Sequence, residues 1–156
     1  RTSWVWDEEG ENFPNKIKKL ILDRASKLAS GASAEPLKVV DDQWGRPTPA
    51  GDLAEACIKI LGARAKFKNI DGQIYHYTSK GKPLTWYGWA KGIQKSLGPL
   101  GANIPGVSDV QILPVNSDAF PTKARRPKNS RLKLEKIGRL GLIPPDEYVN
   151  PNENLD

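Results

Sequence analysis

Cysteine, histidine and methionine are almost missing from this sequence. Its 156 residues contain one cysteine, one histidine and no methionine. The single cysteine, Cys57, excludes an internal disulfide and fits a reducing compartment, so we expect a cytoplasmic protein. With His76 as the lone histidine, and with no zinc spacing, the sequence offers neither a metal cluster nor a catalytic triad.

Long apolar runs are also absent. No stretch approaches the roughly 20 apolar residues that a transmembrane helix needs, and no signal peptide is visible, so we expect no membrane association. The first six residues, Arg1 to Trp6, are typical of the end of a β-strand. Because the chain also starts without methionine, we expect its natural start to lie upstream.

Positive charge is in excess. The formal net charge is +6 at pH 7, which favours polyanions or phosphorylated ligands without separating the two. Four basic residues and no acidic residue lie in residues 120–130, Phe120 to Ser130, which we call the basic segment. Pro121 and Pro127 stiffen it. The planar guanidinium of arginine can form two parallel hydrogen bonds to a phosphate, and a stiff loop lowers the entropic cost of binding. The segment therefore indicates an anion-binding loop, and the alternative is a solvated basic loop.

Hydrophobic periodicity predicts helices alternating with short strands. A first helix begins near Asn12, and Thr85 caps another that ends at Gly98. Asp52 and Glu55 form a capping box for a helix between these two, with Cys57 on its buried face. Strands are predicted over 37–40, 73–78 and 110–115, and a last helix over 132–140. The pattern predicts one small mixed α/β domain over 1–145, followed by a frayed tail over 146–156.

Four motifs occur in an order that resembles a known family. They are Arg1-Thr2-Ser3-Trp4-Val5, then Asp42-Gln43 with Gly45 and Pro47-Thr48, then Thr85-Trp86, and finally Phe120-Pro121-Thr122, Ala124-Arg125-Arg126-Pro127 and Asn129-Ser130. This set is similar to the C-terminal part of dTDP-4-dehydrorhamnose reductases, which are extended short-chain dehydrogenase/reductase proteins. The resemblance implies the substrate-binding lobe of an enzyme that reduces a 4-keto nucleotide sugar with NADPH.

The resemblance also implies that the cofactor domain and the catalytic residues lie elsewhere. The family needs a glycine-rich turn after a strand for the dinucleotide, and no predicted strand here is followed by one. Tyr87 and Lys91 have the spacing of the family's catalytic pair, but they lie downstream of the Arg1 strand, whereas the family's pair lies upstream. We therefore assign no catalytic residue and expect this chain alone to be inactive.

Candidate ligand contacts follow from the family motifs. Arg1, Thr2 and Ser3 are expected beside the nicotinamide and sugar, and Arg126 is expected to bind the nucleotide diphosphate. The other expected substrate contacts are Trp4, Asn12, Gln43, Arg46, Thr48, Arg125 and Asn129, with Asn129 and Ser130 also capping the last helix. Magnesium at a homodimer contact is known in the family, but no ligands for it can be identified here.

Two alternatives stay open at this point. The same fold serves as the non-catalytic β subunit of methionine adenosyltransferase, so the chain could belong to a regulatory protein. The basic balance and five tryptophans would also suit a nucleic-acid-binding module. However, the tryptophans lie at helical spacing or at strand ends instead of alternating with cations on a sheet, so we expect a dTDP-sugar as partner and no nucleic acid.

Overall fold

The computed structural model describes residues 1–67, 69–98 and 101–142. These form two compact units that draw on interleaved stretches of chain. The first unit contains residues 1–7, 45–83 and 130–142, and the second contains residues 8–44 and 84–129. The single domain over 1–145 stays a prediction, and the predicted tail over 146–156 lies outside the described residues.

The elements alternate as the sequence indicates. The strands are β1 (Val5–Trp6), β2 (Leu37–Val40), β3 (Trp44–Gly45), β4 (Thr48–Pro49), β5 (Leu84–Thr85) and β6 (Ile112–Val115). The helices are α1 (Phe13–Ala29), α2 (Ala50–Ala63), α3 (Trp86–Leu97) and α4 (Glu135–Gly138), with a 3₁₀ turn at Ser117–Ala119. In the described ranges, no helix combines the length and the apolar character that crossing a membrane requires.

The second unit packs α1 and α3 against a parallel pair of strands. Strands β2 and β6 run in register from Leu37 opposite Ile112 to Val40 opposite Val115. Ile21 and Ala90 are fully buried in the core between these elements. Buried Gln94 on α3 donates to the carbonyls of Val107 and Val110, at 2.9 and 2.7 Å. These bonds tie the loop before β6 to α3.

The first unit is built around α2 and a short parallel pair. Val5 of β1 lies opposite Thr48 of β4, and α2 follows β4 directly. Ala56, Tyr77 and Ile137 form its core. Burial raises the pKa of Tyr77, and the charges of Asp52 and Glu55 add to that shift.

Helix α2 does not have the predicted start or buried face. It begins at Ala50, with Pro49 in the cap position and no side-chain cap, so the Asp52–Glu55 capping box is wrong. Cys57 is exposed, because the helix buries Ala56 and Ala63 instead. Leu53 and Ile60 pack beside these alanines, whereas Ile58 and Leu61 are exposed.

Two further predicted elements differ from the structure. Residues 73–78 form no strand; within the described chain, Tyr75 and Tyr77 contribute one backbone bond each, both to Arg1. These two hydrogen bonds to Arg1 are too few to form the regular hydrogen-bond pattern of a β-strand. The last helix covers only Glu135–Gly138 instead of 132–140. Asn129 and Ser130 therefore cannot cap it, and that prediction is wrong.

Candidate substrate-binding site

A polar network in the second unit fixes the loop that carries Asp42 and Gln43. The Asp42 carboxylate accepts hydrogen bonds from the backbone N–H of Ser117, at 3.0 Å, and from its hydroxyl. The Gln43 amide donates to the same hydroxyl at 2.9 Å and accepts from the Trp86 indole at 3.1 Å. Gln43 thus spans the gap between the 3₁₀ turn and α3, and one of its amide hydrogens stays available to a ligand.

The network also sets the charge of Asp42. The hydroxyl of Ser117 is the main cause that lowers the pKa of Asp42, and the nearby ammonium of Lys128 adds to it, while burial opposes both. Lys128 Nζ lies 3.4 Å from Asp42 Oδ2, with the lysine side chain 78% exposed. Such an exposed ion pair contributes little stability. The ion pair brings the basic segment, to which Lys128 belongs, close to the loop of Asp42.

Backbone contacts attach the basic segment to this loop. The Trp44 N–H donates to the Lys128 carbonyl at 2.9 Å, and Trp44 pairs with Asn129 in a parallel bridge. Asn129 is thus part of a backbone contact, and its predicted contact with substrate stays a prediction. Residues 120–129 of the segment belong to the same unit as the loop that carries Asp42 and Gln43, which we call the glutamine loop.

Both arginines of the basic segment point into solvent. Arg125 and Arg126 are exposed, as are all residues from Pro121 to Asn129. Within the described chain neither guanidinium forms a hydrogen bond or an ion pair. Thr122 Oγ1 donates to the Ala124 carbonyl at 2.7 Å, which closes a tight turn just before the arginines. The segment therefore presents two unneutralised cations on a stiff, anchored loop.

Asn12 has a structural task at the start of α1. Its Oδ1 accepts from the Asn15 N–H at 3.1 Å, and its Nδ2 donates to the Glu9 carbonyl at 3.0 Å. This confirms the predicted helix start, and it engages the amide that was expected to bind substrate. Phe13 next to it packs on Trp86, with ring centroids 4.6 Å apart.

The predicted cofactor contacts lie in the first unit. The Arg1 amino group donates to the Tyr75 carbonyl at 2.6 Å, and Ser3 Oγ donates to the Ser130 carbonyl at 3.1 Å. The Thr2 hydroxyl is buried and has no hydrogen-bond partner in the described structure. A buried hydroxyl without a partner is costly. Of Arg1, Thr2 and Ser3, Thr2 therefore has the hydroxyl that could bind a polar group of a ligand.

Trp4 and Thr48 lie at the start of β1. Trp4 is half-buried, with a positive φ of 52°, and its indole lies over Gly45. A Cβ at Gly45 would fall 2.3 Å from the Trp4 ring, so only glycine fits there. Thr48 is fully buried and donates to the Ser3 carbonyl at 2.9 Å. It holds the strand in place, and its expected contact with substrate stays a prediction.

Arg46 lies in a cationic cleft of the first unit. Its Nε donates to the Gly81 carbonyl at 3.0 Å, and its Nη1 lies 3.4 Å from the Leu132 carbonyl. Burial lowers the pKa of Arg46, and the positive charge of Arg131 lowers it further. The structure therefore adds Arg131 and Lys133 around Arg46, and Ser117 around Gln43. Sequence reasoning missed Ser117, although its position just after β6 was a usable signal.

Comparison with known proteins identifies the family. The family described as the RmlD substrate binding domain matches residues 1–153. The chain belongs to this family. It is 32% identical to a dTDP-4-dehydrorhamnose reductase of Escherichia coli over 157 aligned residues, covering 100% of this chain and 47% of that protein.

Solved structures agree with the family in fold. A dTDP-4-dehydrorhamnose reductase from Bacillus anthracis in complex with NADP superposes with a TM-score of 0.67 at 27% identity, covering 92% of this chain and 42% of that chain. An orthologue from Clostridium acetobutylicum gives 0.66 at 27% identity, with 96% and 46% covered. The predicted mixed α/β fold and the predicted family are confirmed. The chain spans about half the length of the curated relatives it matches.

Proposed function

We propose that this chain is the substrate-binding part of an NADPH-dependent reductase that converts dTDP-4-dehydrorhamnose to dTDP-rhamnose. The observation that carries the proposal is the anchored basic segment in a chain of this family. It presents Arg125 and Arg126 exposed beside the glutamine loop, with no partner among the described residues. A diphosphate between the two guanidiniums would receive charge-assisted hydrogen bonds. The network around Ser117 keeps Gln43 oriented to contact the sugar or the base.

The reduction needs a hydride donor, and NADPH supplies a hydride to the C4 carbonyl when it is bound. The residues expected to meet it are Arg1, Thr2 and Ser3, and the unpartnered Thr2 hydroxyl fits a polar group of the cofactor. Trp4 would cover one side of the reacting ring and exclude water.

We assign no catalytic residue to this chain and expect it to be inactive by itself. Tyr87 and Lys91 have the catalytic spacing, but the Lys91 ammonium donates to Gln94 Oε1 at 2.6 Å and is half-buried on α3. This bond supports our proposal that Lys91 serves the packing of α3 instead of a catalytic tyrosine. A cytoplasmic location, a homodimer and magnesium at its contact stay predictions from the sequence and the resemblance.

Titration of the 156-residue chain with dTDP tests the proposal. We expect saturable binding by calorimetry. Replacing Arg126 with alanine should weaken it by about 1.5–3 kcal/mol, the range for a hydrogen bond to a charged group. Arg64→Ala is the matched control, because Arg64 is an exposed arginine already paired with Asp71 at 2.7 Å. Absence of dTDP binding, or equal affinity of Arg126→Ala and the wild type, would refute the diphosphate role.

A further inference from the structure

A cleft in the first unit collects positive charge outside the basic segment. Its volume is about 510 Å³, and it is lined by Arg46, Pro83 and residues 131–135. Three of these side chains are cationic, namely Arg46, Arg131 and Lys133, and Glu135 is the one carboxylate among them. The lining thus carries a net charge of +2, from three positive groups and one negative group.

Arg46 contacts the backbone of two segments within this cleft. Its guanidinium donates to the Gly81 carbonyl at 3.0 Å and lies 3.4 Å from the Leu132 carbonyl. Neither partner is an acid, and no described carboxylate pairs with Arg46. A half-buried guanidinium that keeps its full charge beside a second arginine is electrostatically costly. An anion in the cleft would remove that cost.

The backbone after the basic segment orients the other two cations. From Arg131 to Glu135, exposed charged residues alternate with half-buried Leu132 and Leu134. The leucines anchor the extended chain, since Leu134 packs against the core of the first unit. Lys133 and Arg131 are thereby kept on the side that borders the cleft. The cations come from a fixed frame, as a preorganised anion site requires.

We propose that the cleft of Arg46, Arg131 and Lys133 binds a multiply charged phosphate, separately from the basic segment. Arginine forks engage phosphate oxygens bidentately, and an ammonium adds a point charge. Three cations around one cleft suit an anion with several charges, such as a diphosphate. Arg46 is also one of the predicted substrate contacts, whereas Arg131 and Lys133 are not. An inorganic probe tests the cleft independently of the reductase function.

Arginine-resolved NMR of the ¹⁵N-labelled chain tests the site directly. Titration with sodium pyrophosphate, at ionic strength held constant with sodium chloride, should give saturable shifts of the Arg46 Nε–Hε resonance and of amides 131–135. Arg46→Gln should raise the dissociation constant about tenfold or more, the size expected from losing a charge-assisted hydrogen bond. Absence of saturable shifts at these positions, or wild-type affinity in Arg46→Gln, overturns the proposal.

Two further variants keep the result interpretable. Arg46 also holds two loops, so its loss could disturb the fold; Lys133→Gln changes an exposed side chain with no hydrogen bond in the described structure. Lys133→Gln should weaken pyrophosphate severalfold without altering the rest of the spectrum, and unchanged affinity would contradict the site. Arg126→Ala should leave the Arg46 shifts intact while weakening dTDP at the basic segment. Loss of the Arg46 shifts in Arg126→Ala would show that the cleft is not a separate site.

Discussion

At the scale of single residues, the main lesson concerns side chains that could serve either a ligand or the fold. Gln43, Asn12 and Thr48 are all predicted to touch substrate, and all three make hydrogen bonds within the protein, with one amide hydrogen of Gln43 left over. Among the described residues, the guanidiniums of Arg125 and Arg126 have no such partner. Residue types and motifs in the sequence predict which segments lie near a site. Only coordinates show which polar atoms are already taken, because their partners are 30 or more residues away for Gln43 and Thr48.

Ser117 leads to a prediction about acid stability. Because its hydroxyl holds the pKa of Asp42 low, the folded state binds the Asp42 proton less readily than the unfolded state does. The stabilisation from this carboxylate is therefore present above the ordinary aspartate pKa of about 3.9 and is lost as the pH falls through the lower folded value.

We expect Ser117→Ala to move the Asp42 pKa upward, measured by carboxyl NMR titration, and to shift acid unfolding to higher pH. The control is Asp118→Asn, which removes an exposed aspartate next to Ser117. An Asp42 pKa in Ser117→Ala equal to that of the wild type would show that the hydroxyl is not the cause.

At the scale of elements, the sequence predicts the second unit better than the first. Strand β2 and helices α1 and α3 have strong signals, namely a helix cap, a clear apolar stripe and a firm stop, and they occur as expected. Helix α2, segment 73–78 and the last helix depart from expectation. Each has ambiguous apolar positions or few backbone partners, so distant packing decides its shape instead of local pattern.

The cap of α3 leads to a stability prediction. Thr85 Oγ1 accepts from the Gly88 N–H at 3.0 Å and donates to an Asp41 carboxylate oxygen, while the residue itself is buried. Thr85→Ala removes both bonds and should lower the free energy of unfolding by about 1–2 kcal/mol, measured by urea denaturation. Thr85→Ser keeps the hydroxyl and should recover most of that loss. Equal stability of the alanine variant and the wild type would mean that the cap contributes nothing.

At the scale of the whole molecule, the charge of +6 is consistent with two kinds of partner. A polyanion such as nucleic acid would spread over many cations, whereas a dTDP-sugar would meet a few. Our proposal is the second partner, because Arg125 and Arg126 are exposed together on one anchored loop. The aromatics do not decide between the two: Phe13, Trp86 and Trp89 pack on one another, whereas Trp44, Phe67 and Phe120 are exposed.

Salt dependence separates these partners. Each phosphate neutralised on single-stranded nucleic acid adds about −0.7 to the slope of log affinity against log salt, so an extended contact gives a steep slope. We expect dTDP to bind with a shallow slope, and a single-stranded oligonucleotide to bind weakly and lose affinity steeply. Calorimetry across a series of salt concentrations measures both slopes. If the oligonucleotide binds more tightly than dTDP at physiological salt, the positive charge serves nucleic acid, and the nucleotide-sugar assignment fails for this chain.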